Sequence, residues 1–330
     1  MKPIDDAYRA PLWLPGAHLQ TIFPALLAPR LTVEYRRERW TTPDDDFIDL
    51  DWLVQPGSDR GAADLAVVPL LVVFHGLEGS SLSRYALGLI AQARDLGWHG
   101  VVPHFRGCGG ELNRAPRFYH SGDSAEIDWI LRRLKERYPA APLYVAGVSL
   151  GGNVLLKWLG EQGTAAERIV SRAAAVSAPV DLAAGAAALK AGPSVLYTRD
   201  FLRSLKPKVL AKLAQFPGLI DHAALLRARN LTEFDDIVTA PLHGFRNAGD
   251  YYLRASSKPL LRSITVPTLM LNARNDPFLP AGSLPLKSEV SASVLLDYPE
   301  RGGHVGFWGA DGERAEWMPA RVLRFLARGS

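Results

Sequence analysis

The sequence predicts an α/β fold: a mostly parallel central sheet of about eight strands flanked by helices, with an inserted helical cap. Three observations lead there. Short unbroken apolar runs, of which PLLVVFHG (69–76) is the first, alternate with helical segments, as in a parallel sheet covered on both faces. From 180 to 262 that alternation gives way to helical segments, an interval too long for a plain loop between two strands, and strands then resume. The 330 residues are 48% hydrophobic and 22% charged, enough apolar material for a sizeable core in one globular domain. The chain, 1–330, is therefore read as a single domain with 1–30 as an apolar N-terminal arm and 180–262 as the cap.

The opening MKPIDDAYRAP puts two aspartates and a proline where a secretory signal carries its apolar core, so export by that route is not expected. Residues 10–29 contain no Asp, Glu, Lys or Arg and have the length of a membrane span. Yet Pro11, Pro15, Pro24 and Pro29, with Gly16, His18 and Gln20, would break helical hydrogen bonding repeatedly in lipid. The segment reads as an arm packed on the domain, without stable membrane insertion; peripheral association with a surface is the alternative.

LTVEYRRERW (31–40) and FIDLDWLV (47–54), separated by TTPDDD, form a hairpin-like pair of strands. Strands then follow at 70–74, 99–103, 143–146 and 173–177, with helices near 82–95, 124–137 and 150–161 between them. In the second of these helices Asp123 is a candidate cap with Glu126 three residues on. Ile127, Ile130, Leu131 and Leu134 fall at i, i+3, i+4 and i+7, one buried stripe. The cap region is broken at Pro193, Pro207, Pro217 and Pro241, and its Leu196, Tyr197, Phe201, Leu202 and Leu205, with further helices, are expected to roof a pocket. VPTLMLNARNDPF (266–278) and ASVLLDYPE (292–300) resume the sheet, and a final helix is expected around 315–328.

The charge balance excludes several functions. A formal net charge of +4 with no basic run leaves no footprint for nucleic acid, and scattered aromatics leave no single-strand platform. The single Cys108 excludes an internal disulfide and a thiolate-rich zinc site, which suits a reducing, cytoplasmic location. Eight histidines show no H-E-x-x-H or comparable spacing, so neither a catalytic metal nor a cofactor is expected.

VAGVSLGGN (145–153) contains G-x-S-x-G, a pattern common enough by chance that its context must decide. Here a strand precedes it and a helix follows, as a nucleophile elbow requires: a sharp turn that lifts the Ser149 hydroxyl clear of the backbone, with Gly147 and Gly151 leaving room. A serine needs an adjacent base oriented by a third group. Asp276 in NARNDPF and His304 in ERGGHVGFW both lie just past strand ends, where open α/β sheets place their ligands. The order Ser149, Asp276, His304 is that of α/β-hydrolases. Two backbone N–H groups must hold the oxyanion, and Leu150 and Leu77 are the natural donors. His75 and Gly76 support that loop, His75 as a brace through a hydrogen bond. RGCGGEL (106–112) lacks the ending of a phosphate loop and is read as a turn lining the pocket. Arg106, Phe278 and Phe307 are further pocket candidates, Arg106 with the alternative that it ties down a loop.

These residues carry a resemblance. HLQTIFP, HGLEGSS, FRGCGGELNRAPRFYHSGD, GVSLGGN, TEFDDIVTAPLHGF, RNDPF and GGHVGFW together resemble the YheT-like branch of the α/β-hydrolase superfamily, which includes lipid-active eukaryotic relatives. The resemblance implies the α/β-hydrolase fold and a serine carboxylesterase working through an acyl-enzyme, with Ser149, Asp276 and His304 at the triad positions. The expected substrate is a small-molecule or lipid ester, with short- to medium-chain acyl groups first and lipid metabolism as the setting. Phospholipase or lipase, thioesterase and alcohol acyltransferase are the alternatives, although no histidine has an aspartate five residues later, as the acyltransferase pattern requires. The reading from another class is a non-catalytic protein binding a small ligand in the same pocket. Nothing in the sequence bears on oligomeric state.

Overall fold

A computed structural model describes residues 7–29, 31–55, 67–309 and 317–328. Its centre is one eight-stranded sheet in the order β1-β2-β4-β3-β5-β6-β7-β8. The strands are β1 Tyr35–Thr41, β2 Phe47–Leu53, β3 Leu70–Phe74, β4 His99–Pro103, β5 Leu143–Val148, β6 Arg172–Val176, β7 Thr268–Leu271 and β8 Val294–Asp297. β2 runs antiparallel to β1 and β4, and the other pairings are parallel. β3, β5 and β7 are buried along their whole length, because both faces of a parallel sheet are covered.

β1 begins later than the apolar run suggests and forms the sheet edge. Its Arg37 and Arg39 stand opposite Asp51 and Asp49 and each binds its partner through two nitrogens. Opposite charges directly across an edge pair fix the register and discourage a further strand from adding.

Helices α2 (Arg84–Asp95) and α11 (Trp317–Ala327) cover one face, where Leu89, Ile90, Val322 and Leu326 are buried. Helices α3 (Ser124–Arg137) and α4 (Leu150–Gln162) cover the other, and the stripe Ile127, Ile130, Leu131 and Leu134 packs there with Leu155 and Leu159. The expected cap on α3 is corrected. The side chain of Asp123 caps no helical amide but accepts from Arg117, and Glu126 accepts from Arg106. The start of the final helix as expected, 315–316, lies outside the described residues.

Between β6 and β7 the chain folds into α5 (Leu182–Ala188), α6 (Val195–Gln215), α7 (His222–Arg227), α8 (Leu231–Phe234), α9 (Ala240–Leu242) and α10 (Ala248–Ala255). These helices have a small core of their own, including Leu202, Val209, Leu225, Phe234 and Val238. In the N-terminal arm, α1 (Ala17–Ile22) runs into a wider π-helical turn, Phe23–Leu27. Pro24 is accommodated in that turn's first residues, where a missing N–H is least felt. The arm leaves Leu12, Trp13, Leu26 and Leu27 exposed. Among the described residues, no helix is long and apolar enough to cross a membrane.

Candidate active site

The loops after β3, β5, β7 and β8 all leave the same, C-terminal edge of the sheet. Because β4 and β5 lie on opposite sides of β3, the chain diverges there and opens a crevice, the usual ligand position in such sheets. Ser149 sits in that crevice between β5 and α4 with φ +51°, a left-handed conformation for a residue with a side chain. Its N–H donates to Val176 O at 2.8 Å, and its own carbonyl accepts from Asn153 N at 3.1 Å. The turn is tight enough that a Cβ at Gly147 would lie 2.5 Å from Gly151 O, and one at Gly151 2.5 Å from the carbonyl oxygens of Phe74 and His75. Asn153, fully buried, donates to Ser121 O and Ala255 O and accepts from Ser257 N, which ties the first turn of α4 to the helical excursion.

His304 bridges to the serine. Its Nε2 lies 3.0 Å from Ser149 Oγ and its Nδ1 2.8 Å from Asp276 Oδ2. The other Asp276 oxygen accepts from Phe278 N at 2.8 Å, and the Asp276 side chain is sealed from solvent. A carboxylate only accepts, so this network puts the ring proton on Nδ1 and leaves Nε2 to accept from the serine. Phe278 stacks on the imidazole with centroids 4.1 Å apart.

The loop after β3 faces the serine, with a Cβ at Gly76 coming 3.2 Å from Ser149 Cβ. Gly76 N donates to the Tyr85 hydroxyl and Glu78 N to that of Tyr119, each at 2.8 Å, so the loop is pinned on both sides of Leu77. Leu150 opens α4 directly after Ser149, so the helix begins at the serine with its N-terminal amides. His75 is completely buried, and burial holds its imidazole down to about 3, in the neutral form. Its Nε2 accepts from Phe105 N at 3.1 Å and its Nδ1 faces Gly76 O at 2.8 Å, the geometry of a brace.

A cavity opens from Ser149 and His304 beneath the helices. Phe201 and Leu205 line it, joined by Val209, Leu231, Phe234 and Val238. Polar groups break this apolar lining at a few points. Asp235, whose carboxyl burial lifts to about 6, accepts from the hydroxyls of Thr239 and Tyr252. The His120 and His243 rings, which also line the cavity, lie 4.5 Å apart, each held down to about 3 by burial. Lys208 of α6 pairs with Glu78 at 2.8 Å, joining the helical excursion to the loop carrying Leu77.

Several expected pocket residues lie elsewhere. Arg106 is buried among Glu126, Asp46 and Asp44, where it ties the 105–123 block to the β1–β2 turn, and the 106–112 turn does not line the cavity. Phe307, fully buried, packs in the core with Tyr8 and Trp317. Leu196 points outward, Tyr197 rests on Phe278, and Leu202 belongs to the helices' own core. Cys108 touches Lys208 and Glu78, and burial pushes its thiol up to about 12, which leaves it a poor nucleophile. The sequence reading missed Tyr85, Tyr119, Asn153 and Ser177; GVSLGGN contains Asn153 but not its distant partners. Among the described residues, no group of three or more His, Cys, Asp or Glu could hold a metal ion.

Comparison with known proteins adds the family context. A family described as having the alpha/beta hydrolase fold matches residues 69–311. The chain is 41% identical over 314 residues to YheT of Escherichia coli (strain K12), a protein named as a candidate esterase, covering 94% of this chain and 90% of that one. It is 30% identical to phospholipase ABHD3 of Mus musculus, covering 92% of this chain and 74% of the relative. Among solved structures, the Pyrococcus furiosus esterase PF2001 superposes with a TM-score of 0.54 over 91% of this chain and 96% of that one; at 18% identity the likeness is one of fold.

Proposed function

The chain belongs to the YheT-like branch of the α/β-hydrolase fold family, and from that premise we propose that it is a serine carboxylesterase with a Ser149-His304-Asp276 triad. The observation that carries the proposal is the unbroken line of hydrogen bonds from Asp276 through His304 to a serine raised on a strained elbow. His304 Nε2 takes the hydroxyl proton as Ser149 Oγ bonds to the ester carbonyl carbon. The carbonyl oxygen becomes an oxyanion, held by the N–H groups of Leu77 and Leu150. Collapse breaks the bond to the alcohol oxygen, which leaves with the proton from His304. Water then attacks the acyl-enzyme by the same proton route, releasing the acid and regenerating Ser149.

The apolar residues beneath the helices support an acyl chain as the group bound there. The similarity to a phospholipase favours a lipid ester as the second reading. A panel of p-nitrophenyl esters and thioesters of rising chain length, with and without added alcohol, tests both. The ester reading expects turnover that peaks at short to medium chains and disappears in Ser149→Ala. A peak at long chains presented on lipid aggregates favours the lipase reading, whereas binding without turnover contradicts both.

A further inference from the structure

The loop that carries His304 closes on one backbone bond of its own, Phe307 N to Gly302 O at 3.0 Å. Gly302 and Gly303 flank the histidine on one side, and Gly303 (φ +61°) and Val305 (φ +61°) both adopt left-handed conformations. Such a loop must be held from outside, because glycines bring no side-chain packing and many alternative conformations. From the sheet side, Ser177 Oγ accepts from Val305 N at 3.0 Å.

Further anchors come from the N-terminal arm, far away in sequence. Thr21 Oγ accepts from the backbone N–H of His304 itself at 2.9 Å, and its hydroxyl donates to Ala17 O at 2.8 Å. Gln20 is 1% exposed, and its Oε1 accepts from both Gly302 N and Asn275 Nδ2, each at 2.9 Å. Its Nε2 donates to Leu14 O at 2.9 Å, which fixes the side chain's orientation. Asn275 precedes Asp276, and its Oδ1 accepts from Gly303 N at 3.1 Å. One glutamine therefore joins the loop of the base to the loop of the acid. On the side of the helices, His18 Nδ1 lies 3.2 Å from the Tyr197 hydroxyl, and Tyr197 packs on the Phe278 ring that stacks on His304.

The arm also explains the glycines. A Cβ at Gly303 would lie 2.7 Å from Thr21 Oγ, and one at Gly306 1.9 Å from Gln20 O. The two segments meet backbone to backbone, with no space for a side chain between them.

We infer that Gln20 and Thr21 are positioning residues for the catalytic base, and that the N-terminal arm is a strap holding His304 between Asp276 and Ser149. This rests on the serine-esterase reading above. Removing the Thr21 acceptor leaves the His304 N–H without its partner and frees the loop to shift. A displacement of about 1 Å in a catalytic group lowers turnover by about a hundredfold.

The test compares full-length wild type with Thr21→Val, which keeps the side-chain shape, and Thr21→Ser, which keeps the acceptor. Gln20→Leu is a second probe should Thr21→Val not fold. Turnover of a p-nitrophenyl ester is normalised to titrated active sites, and the His304 Nδ1–H resonance is followed by proton NMR downfield of the amides. In Thr21→Val and Gln20→Leu, kcat should fall about tenfold to a hundredfold with KM within about twofold, and the resonance should broaden or vanish. Thr21→Ser should restore both. Folded variants that keep wild-type kcat and the resonance would overturn the inference, as would a loss of kcat with the resonance intact, since His304 would then still be seated. If the wild type shows no Ser149-dependent turnover, the esterase reading fails by itself, and the dependence of the resonance on Thr21 alone decides whether the arm is a strap.

Discussion

Ser149 occupies a backbone region that costs a residue with a side chain about 1–3 kcal/mol, and the surrounding turn must impose it. Asp276 is spent differently: sealed from solvent, it fixes which nitrogen of His304 faces the serine. Asp276→Asn keeps the shape and offers an amide that favours the wrong tautomer, so kcat should fall about ten-thousandfold with little change in melting temperature. Steady-state kinetics beside a thermal melt checks this, and near-wild-type kcat would remove Asp276 from the mechanism. His243 illustrates the opposite use of burial. Its imidazole is held down to about 3, against roughly 6.5 in the unfolded chain. Between those values the unfolded chain binds a proton that the folded chain refuses. The stability is therefore complete above about pH 6.5 and drains as the pH falls. His243→Phe keeps a ring against His120 and should flatten the decline in stability between about pH 7 and pH 5 by up to about 1.4 kcal/mol per pH unit. An unchanged slope in denaturant titrations would contradict that assignment.

The start of α4 is the element on which the site depends most. A Cβ at Gly151 would press on two carbonyl oxygens at the end of β3, and backbone there has nowhere to yield. Gly151→Ala should therefore destabilise the fold by about 1–3 kcal/mol and separate the Leu77 and Leu150 amides, with activity lost even in the folded fraction. A melt together with site titration reads both effects, and an active, equally stable variant would mean that the crevice is looser than described. Elements of this kind were legible in sequence because their signals are local. Apolar runs gave β3 to β6 to within a residue or two, and the i, i+3, i+4, i+7 stripe of α3 gave its buried face. The α3 cap was misread because Arg117 and Arg106 bind Asp123 and Glu126 more directly than the helix amides do. Phe307 was misplaced for a related reason: the backbone at φ +38° turns its ring away from the cavity toward Trp317, and no local pattern announces that turn.

At the scale of the molecule, the site is assembled from loops after four strands, the arm before the sheet and the helices inserted between β6 and β7. The chain order of Ser149, Asp276 and His304 was readable because the fold brings successive strand ends to one edge. The buckles between distant segments, such as Gln20 to Gly302 or Arg106 to Asp46, were not readable, because no spacing records a contact across the chain. The helices contribute the pocket wall, so their residues should govern which acyl chains fit. Leu205→Trp fills space beneath α6 and should lower kcat/KM for longer acyl esters by about tenfold or more while leaving the shortest ester nearly unaffected. Equal losses at every chain length would place the acyl group elsewhere. Activation of Ser149 is checked by reacting the full chain with a fluorophosphonate probe and locating the adduct by mass spectrometry. A single adduct is expected on Ser149, forming far more slowly in His304→Ala and absent in Ser149→Ala. A folded, unlabelled wild type, or labelling at another residue, would contradict it.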